Sequence, residues 1–252
     1  MPAERKPHPP RAAAPPPDIA ARILARTPSV LILDKPAGLP VHATRPGRPS
    51  VADWLPFLRF GKRRDPQPAH RLDADTAGCL VLGRTKPALA ELGAAFAARK
   101  VEKRYWAVVR GGPLAEMGVI DLPLGKTSTA ATGWRMRVDP AGQPARTLWR
   151  VLARGRETTL LELLPETGRT HQLRVHCAAS GWPILGDTLY GPRGETGPLH
   201  LLARFIAVPG AQATAPVPQE LQPGFRAAGW TGHDEPRPAV LGEGTRGGVP
   251  EW

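Results

Sequence analysis

Short apolar runs bounded by turn residues constrain the fold of this 252-residue chain more than any other feature of its sequence. Most of the runs are too short for an amphipathic helix, and β-branched or aromatic residues are frequent in them, so they predict strands. The predicted strands cover residues 30–34, 79–82, 104–110, 135–138, 146–151, 158–164 and 200–208. Because few helices are interspersed, we expect an α+β domain with a mixed, mostly antiparallel sheet and flanking helices.

Helical signals are fewer and shorter than the strand signals. Asp18 is a suitable N-cap for a short helix over residues 19–25, and residues 51–60 predict one or two helical turns that Pro56 limits. Thr85 predicts the start of a longer helix that carries Pro87 in its first turn and ends by Arg99. Residues 167–179 are interpreted as a loop that enters a helix.

Proline and glycine, with 31 and 27 residues, make up close to double their usual share of a chain, and both terminal segments contain many of them. Segments of this composition cannot bury enough apolar surface to order themselves. We therefore expect a disordered Pro/Ala-rich segment at 1–17, one folded domain at 18–230 and a disordered Gly/Pro-rich tail at 231–252.

The charge balance favours a polyanionic partner. Lys and Arg number 34 against 22 Asp and Glu, which gives a net charge of +12. No stretch approaches the roughly 20 apolar residues of a membrane span, and the N-terminal residues lack the apolar core of a secretory signal. Two cysteines exclude a disulfide framework and argue against a structural zinc site, so we expect a cytoplasmic protein.

Two polar segments are candidates for chemistry. The first, residues 70–78, places Asp73 and Asp75 between a basic pair and a Gly turn, where they would share one face of an extended chain. A solvated turn is an equally simple interpretation of this segment.

The second segment, residues 167–176, contains two Arg and two His. On a helix, His171 and Arg174 would lie on one face. The segment could clamp an RNA or DNA phosphate, hold a catalytic carboxylate, or form an exposed basic helix. Its two histidines lack a third ligand nearby, so no metal is expected.

Four segments resemble, in order and in spacing, the motifs of the RluA-type RNA pseudouridine synthases. They are LDKPAGLPVH (33–42), HRLDADTAGCLVL (70–82), KRYWAVVRG (103–111) and ETGRTHQLRVHCAASGWPILGDTLYG (166–191). One such motif would be weak support, whereas the ordered set is specific and covers residues 30–209. Ala77 and Cys79 depart from the residues usual in the family, which affects the packing of the loop more than its chemistry.

The resemblance implies a role for individual residues. It implies that Asp73 is the catalytic nucleophile, that Arg174 pairs with it, and that Tyr105 packs against the target uracil. It also implies that Arg71 enters the space that the target base leaves. The other predicted substrate contacts are His70, Thr76, Arg169, His171, Gln172 and Leu173.

The resemblance further implies an isomerase that needs no cofactor and acts on a stem–loop of ribosomal or transfer RNA, without a membrane or an obligatory protein partner. Exposed cations would bind the RNA phosphates. The candidates are Arg59, Lys62, Arg63, Arg64, Arg99, Lys100 and Lys103. Two alternatives stay open, namely a catalytically silent RNA-binding protein on the same fold and a nucleic-acid glycosidase that uses Asp73 and Asp75.

Overall fold

A computed structural model describes residues 19–43, 47–129 and 133–232. The strands are β1 (Ile23–Arg26), β2 (Val30–Lys35), β3 (Gln67–Pro68), β4 (Ala77–Gly83), β5 (Glu102–Arg110), β6 (Met117–Asp121), β7 (Leu124–Thr129), β8 (Gly133–Val138), β9 (Arg146–Arg154), β10 (Thr158–Pro165), β11 (Leu201–Val208) and β12 (Ala211–Thr214). The helices are α1 (Lys86–Ala97), α2 (Gln172–Ala179) and α3 (Gln222–Ala227), with 3-10 turns at Ile19–Arg22, Val51–Asp53 and Leu55–Leu58.

One large mixed sheet organises the molecule. Its strands follow the order β1-β2-β4-β11-β5-β10-β9-β6, with β3 on β4 and β12 on β11, while β7 and β8 form a separate hairpin. The pairing of β4 with β11 is parallel, through Leu202 opposite Ala77 and Ala203 opposite Gly78, and the other pairings between the described strands are antiparallel. The predicted α+β class with a mixed, mostly antiparallel sheet is confirmed.

The apolar core lies on both faces of this sheet. One buried cluster joins β2, β4 and β5 to α1 and α3, through side chains such as Leu92 and Phe225. A second covers the opposite face of β2 and β4 with the 3-10 turns, and a third packs α2 against β5 and β10. Strands that are buried on both faces explain why residues 79–82 read as a continuous apolar run.

The structure contradicts one predicted helix. Residues 19–25 form a single 3-10 turn, Ile19–Arg22, and then β1, which pairs with β2. A helix of two turns is marginal by itself, so pairing with the sheet wins. The predicted helix after Thr85 is confirmed as α1. Thr85 is its N-cap, and the Thr85 hydroxyl accepts a hydrogen bond from the Ala88 amide at 3.3 Å.

Several predictions fall on parts of the chain that lie outside the described residues. The proposed N-cap Asp18, the segment 1–17 and the tail from residue 233 onward belong to this group. None of the described helices is long and apolar enough to cross a membrane.

Candidate active site

The turn that carries Asp73 lies between β3 and β4. The Thr76 amide donates to the Asp73 carbonyl at 3.2 Å, which closes the turn. The Asp73 side chain is 27% exposed, whereas Asp75 is on the surface. The expectation that both carboxylates share a face of extended chain is therefore wrong, because the segment turns at residues 74 and 75. Asp73 lines a small cavity, whereas Asp75 lines only the wider cleft around it.

A buried lysine holds this turn from below. The Lys35 ammonium, at the end of β2, donates to the carbonyls of Pro36, Leu39 and Ala74 at 2.8, 2.8 and 2.9 Å. Ala74 separates the two aspartates in sequence, so Lys35 fixes the backbone on which Asp73 sits. Burial lowers the pKa of Lys35 to about 8, against the opposing effect of the nearby Asp75 and Asp73 carboxylates.

The chain on either side of the turn is tied to β4. His70 accepts a hydrogen bond from the Val81 amide on Nε2 at 3.0 Å, and burial lowers its pKa to about 4, so the ring is neutral at pH 7. Gly78 has φ +107, and a Cβ there would lie 2.3 Å from the Ala203 carbonyl oxygen of β11. The Nε2 atom of His70, a residue predicted to contact the substrate, is thus already hydrogen-bonded to β4.

Tyr105, in β5, lies across the cleft from this turn. Its ring is half-buried and packs between two of the apolar clusters. Burial, and then the charge of Asp73, raise the pKa of the phenol well above its usual value, so Tyr105 stays protonated. This position agrees with the predicted role of a ring that supports a base beside Asp73.

The segment 167–176 forms a loop and the first turns of α2. Gln172 begins the helix, and its buried side chain accepts from Thr167 Oγ1 at 2.7 Å and donates to the Arg146 carbonyl at 3.0 Å. Leu173 is 6% exposed and belongs to the core. Both residues line a cavity at Asp73, but the contacts of their own side chains are structural.

The structure contradicts the predicted pairing of Arg174 with Asp73. The guanidinium instead binds Asp187 bidentately, Nε to Oδ2 at 2.8 Å and NH2 to Oδ1 at 2.7 Å, and both side chains are nearly inaccessible. Burial opposes ionisation of Asp187, but the hydrogen bonds and charge of Arg174 outweigh it and hold the pKa of this carboxyl below its ordinary value. Asp187 was not among the predicted site residues, since turn residues carry no periodicity that reveals a distant partner.

Among the basic side chains that the structure describes, His171 is the one within ion-pair distance of Asp73. Its Nε2 lies 4.0 Å from Asp73 Oδ1. It precedes α2 in the left-handed conformation, at φ 53 and ψ 18, and not on the helical face with Arg174 as predicted. A non-glycine residue in this conformation is uncommon and is found at functional sites. The ring is braced by the edges of Trp134 and Tyr190.

A short hydrogen-bond chain orients the His171 ring. The Met136 amide donates to the Tyr190 hydroxyl at 3.1 Å, and that hydroxyl lies 2.7 Å from His171 Nδ1. When the hydroxyl proton points to Nδ1, the neutral ring carries its own proton on Nε2, which faces Asp73. Burial lowers the pKa of His171, although Asp73 opposes the shift, so the neutral form dominates at pH 7.

These residues line a cavity of about 110 Å³ at the base of a cleft of about 1550 Å³. The predicted site residues that line the inner cavity are Arg71, Asp73, Thr76, Tyr105, Arg169, His171, Gln172, Leu173 and Arg174, and His70 lines the wider cleft. Arg71 is exposed at the cleft, whereas Thr76 is buried. Of the predicted phosphate contacts, Arg99, Lys100 and Lys103 line the cleft, and the four cations of residues 59–64 do not.

The hairpin of β7 and β8 forms an outer wall of the cleft that was not predicted to take part. Lys126 and Trp134 line the cleft, and the ammonium lies 5.5 Å from the indole centroid. Among the described residues, no group of three or more His, Cys, Asp or Glu side chains is arranged to hold a metal ion.

Comparison with known proteins places these features in one family. The family model for RNA pseudouridylate synthase matches residues 29–179. An RNA pseudouridine synthase of Zymomonas mobilis is 47% identical over 176 residues, which are 69% of this chain and 80% of that protein. The ribosomal large subunit pseudouridine synthase D of Nitrosomonas europaea is 40% identical over 179 residues, and the chain spans only half of its length.

Solved structures agree with this match. The human RNA pseudouridylate synthase domain containing 4 is similar with a TM-score of 0.71 and 27% identity, over 83% of this chain and 94% of that one. The human RNA pseudouridylate synthase domain containing 1 is similar with a TM-score of 0.68 and 27% identity, over 78% of this chain and 83% of that one. The predicted resemblance and the isomerase class are confirmed, and the chain belongs to the RNA pseudouridylate synthase family.

Proposed function

We propose that this protein converts uridine to pseudouridine in a loop of ribosomal or transfer RNA, in the cytoplasm, with Asp73 as nucleophile. The observation that carries the proposal is that Asp73 lines one cavity with Tyr105 and His171, with His171 Nε2 4.0 Å from its carboxylate. The name of the Nitrosomonas relative supports ribosomal RNA as one substrate. The unpaired, buried thiols of Cys79 and Cys177 support a reducing compartment.

The reaction needs one carboxylate and no group donor. The bond between ribose C1′ and uracil N1 breaks, a bond between C1′ and C5 forms, and the proton that leaves C5 is balanced by one gained at N1. Asp73 can attack the sugar, attack the base or remove a ribose proton, and each route needs its ionised form. A hydrogen-bond donor beside a carboxylate favours its charged form, and we assign that role to His171 Nε2–H.

The surroundings fit an RNA nucleotide that has left its stack. Flipping a base costs a few kcal/mol, least for a nucleotide in a loop, and phosphate contacts offset that cost. Arg99, Lys100 and Lys103 lie in the wall of the cleft where such phosphates would pass. The Tyr105 ring would supply an apolar face for the uracil, and Arg71, which is exposed and lines the cleft, would enter the space that the base leaves.

Tritium release from RNA labelled at uridine C5 tests the proposal. The wild-type protein should release tritium, and Asp73→Asn should release none while it keeps its affinity for RNA. Asp75→Asn, in the same turn, is the matched control and should keep most of the activity at pH 6.5.

Other outcomes identify the alternatives. No tritium release from any cellular RNA would favour a silent binding protein. Free uracil with an abasic product, and loss of activity in both Asn variants, would favour a glycosidase, because pseudouridine formation leaves the RNA mass unchanged. Mapping pseudouridines in a strain without this protein, against its parent, would identify the uridine.

A further inference from the structure

A second basic surface is formed by the end of the third 3-10 turn and the loop that leads from it to β3, outside the residues that line the cleft. Its segment 57–64, here called the basic–aromatic loop, exposes Phe57 and Phe60 by 41% and 36%. Between them Leu58 is fully buried, so the loop is anchored in the core and its two rings are nevertheless left in water. Neither ring lines the cleft that holds Asp73.

The loop is held in a fixed shape. Arg84, which directly follows β4 and is 8% exposed, donates to the carbonyls of Arg59 and Phe60 at 3.1 Å each. Phe60 has φ 43 and the following Gly61 has φ 82, so the chain reverses sharply at this point. A buried guanidinium that holds backbone carbonyls makes this surface a preformed one, which reduces the entropy lost on binding.

Cations without internal partners surround the exposed rings. Arg59 pairs with Asp65, but Lys62, Arg63 and Arg64 are exposed and form no ion pair with a described carboxylate. Arg26, at the end of β1, lies over the Phe60 ring with 4.7 Å between guanidinium carbon and centroid. Unpaired cations beside exposed aromatic rings are the combination that binds single-stranded nucleic acid, by phosphate contacts and base stacking.

The loop and the active site lie at opposite ends of one strand. Asp73 precedes the start of β4 at Ala77, and Arg84 follows its end at Gly83. Seven residues of extended chain span about 20 Å. This surface therefore lies outside the cleft that takes the target base, and its exposed rings can stack only on bases that are unpaired.

We propose that the basic–aromatic loop is a second RNA-binding surface that captures an unpaired segment flanking the target stem–loop. The choice of RNA as the occupant rests on the proposed function. Affinity then depends on the length of the RNA, and turnover of bound RNA does not depend on this loop.

The test compares RNA binding with and without a flanking segment. The probes are a hairpin with a uridine loop and the same hairpin with an oligouridine tail of about 15 nucleotides. The variant K62Q/R63Q/R64Q should bind the tailed RNA roughly tenfold more weakly and bind the bare hairpin as the wild type does. Its salt dependence on tailed RNA should fall by about 0.7 in log–log slope for each lost contact.

Two controls complete the test. The first asks whether the position of the lost charge matters, and the second asks whether the aromatic rings contribute in addition to charge. R156Q/R193Q/R226Q removes the same charge from exposed positions on other elements and should leave tail-dependent affinity unchanged. F57S/F60S should weaken binding of the oligouridine tail and not of an abasic tail of equal length, because stacking needs bases.

The proposal is overturned if K62Q/R63Q/R64Q and the control triple variant bind the tailed RNA equally well. It is also overturned if the wild type binds phosphatidylserine vesicles through this loop while the binding of tailed RNA does not change in the loop variant. Because the readout is binding, a protein that releases no tritium but loses tail affinity in the variant would refute the proposed function and leave this surface standing.

Discussion

His171 combines an unusual backbone conformation, a committed hydrogen bond and a ring nitrogen within ion-pair distance of Asp73. Its ring nitrogen Nδ1 is taken by Tyr190, so only Nε2 is available to the carboxylate. Catalytic hydrogen bonds are often long in free enzymes and shorten when substrate is bound. The distance of 4.0 Å therefore suits a donor that engages Asp73 once the RNA is in place.

Substitution of His171 tests this role. His171→Met should lower kcat by roughly tenfold to a hundredfold, as expected for a hydrogen bond to a charged group, with little change in KM. His171→Gln, of similar size and strained alike, keeps a donor and should retain most of kcat. Tyr190→Phe should lower kcat when it is the only substitution and have no further effect when His171→Met is already present. Additive losses in kcat would show that Tyr190 does not act through His171.

Arg174 and Asp187 form a buried ion pair whose disruption strands a charge. Arg174→Met should lower the free energy of unfolding by about 3–5 kcal/mol, measured by urea denaturation, because Asp187 stays buried without its partner. Arg174→Met with Asp187→Asn should recover part of that loss, since the remaining side chain is neutral. Equal stability of the single and double variants would show that the pair is not what supports this region.

At the scale of elements, β2, β4 and α2 position the site, and Lys35 connects the first two. Its charged form has three donors for three carbonyls, whereas the neutral amine has only two. We therefore expect activity to fall as pH rises through about 8, the pKa of Lys35. Asp75→Asn removes the charge that most raises this pKa, so its alkaline limb should lie at lower pH in a plot of kcat against pH.

Stability should change in the opposite direction to activity. The pKa of Lys35 is lower in the folded state than the ordinary value of 10.5, so the folded protein releases this proton first. The contribution of Lys35 to the free energy of unfolding thus rises between about pH 8 and 10.5. Activity lost over this range through simple unfolding would contradict the role given to Lys35.

The sequence predicted the buried elements better than the exposed ones. Runs such as 30–34 and 79–82 are apolar because β2 and β4 are buried in the sheet, and both were found. Strand β7, with the sequence LGKTST, was missed because a solvated hairpin strand buries little and carries no alternation. β6 and β12 are short strands, and α3 begins in a Pro-rich segment, so none of them was predicted.

The sequence predicted which residues line the site and not which of them form ion pairs. Asp73, Tyr105 and Arg174 do line one cavity, as the motif order implied. The partner of Arg174 could not be read from the sequence, because Asp187 lies in a turn whose geometry is set by tertiary packing. It is the tertiary fold that brings His171, and not Arg174, within ion-pair distance of the Asp73 carboxylate.

At the scale of the whole molecule, two separate groups of cations are available to bind RNA. Arg99, Lys100 and Lys103 line the cleft, and Lys62, Arg63 and Arg64 occupy the basic–aromatic loop. We expect RNA affinity to decrease steeply with salt, and each group of cations to account for a separate part of the slope. Filter binding over a range of potassium chloride concentrations, with each group neutralised in turn, would measure these parts; a slope that one group explains entirely would contradict the division.

The parallel partner of β4 has a consequence for how the polypeptide acquires its shape. β11 lies between β4 and β5, yet it follows every other strand of the large sheet except β12 in sequence. During synthesis the early and middle strands can form only two separate halves, which close when residues 201–208 arrive. Such late, long-range pairing makes folding slow. We expect that a nascent chain on the ribosome has no assembled active site, and therefore no activity on RNA, before β11 is in place.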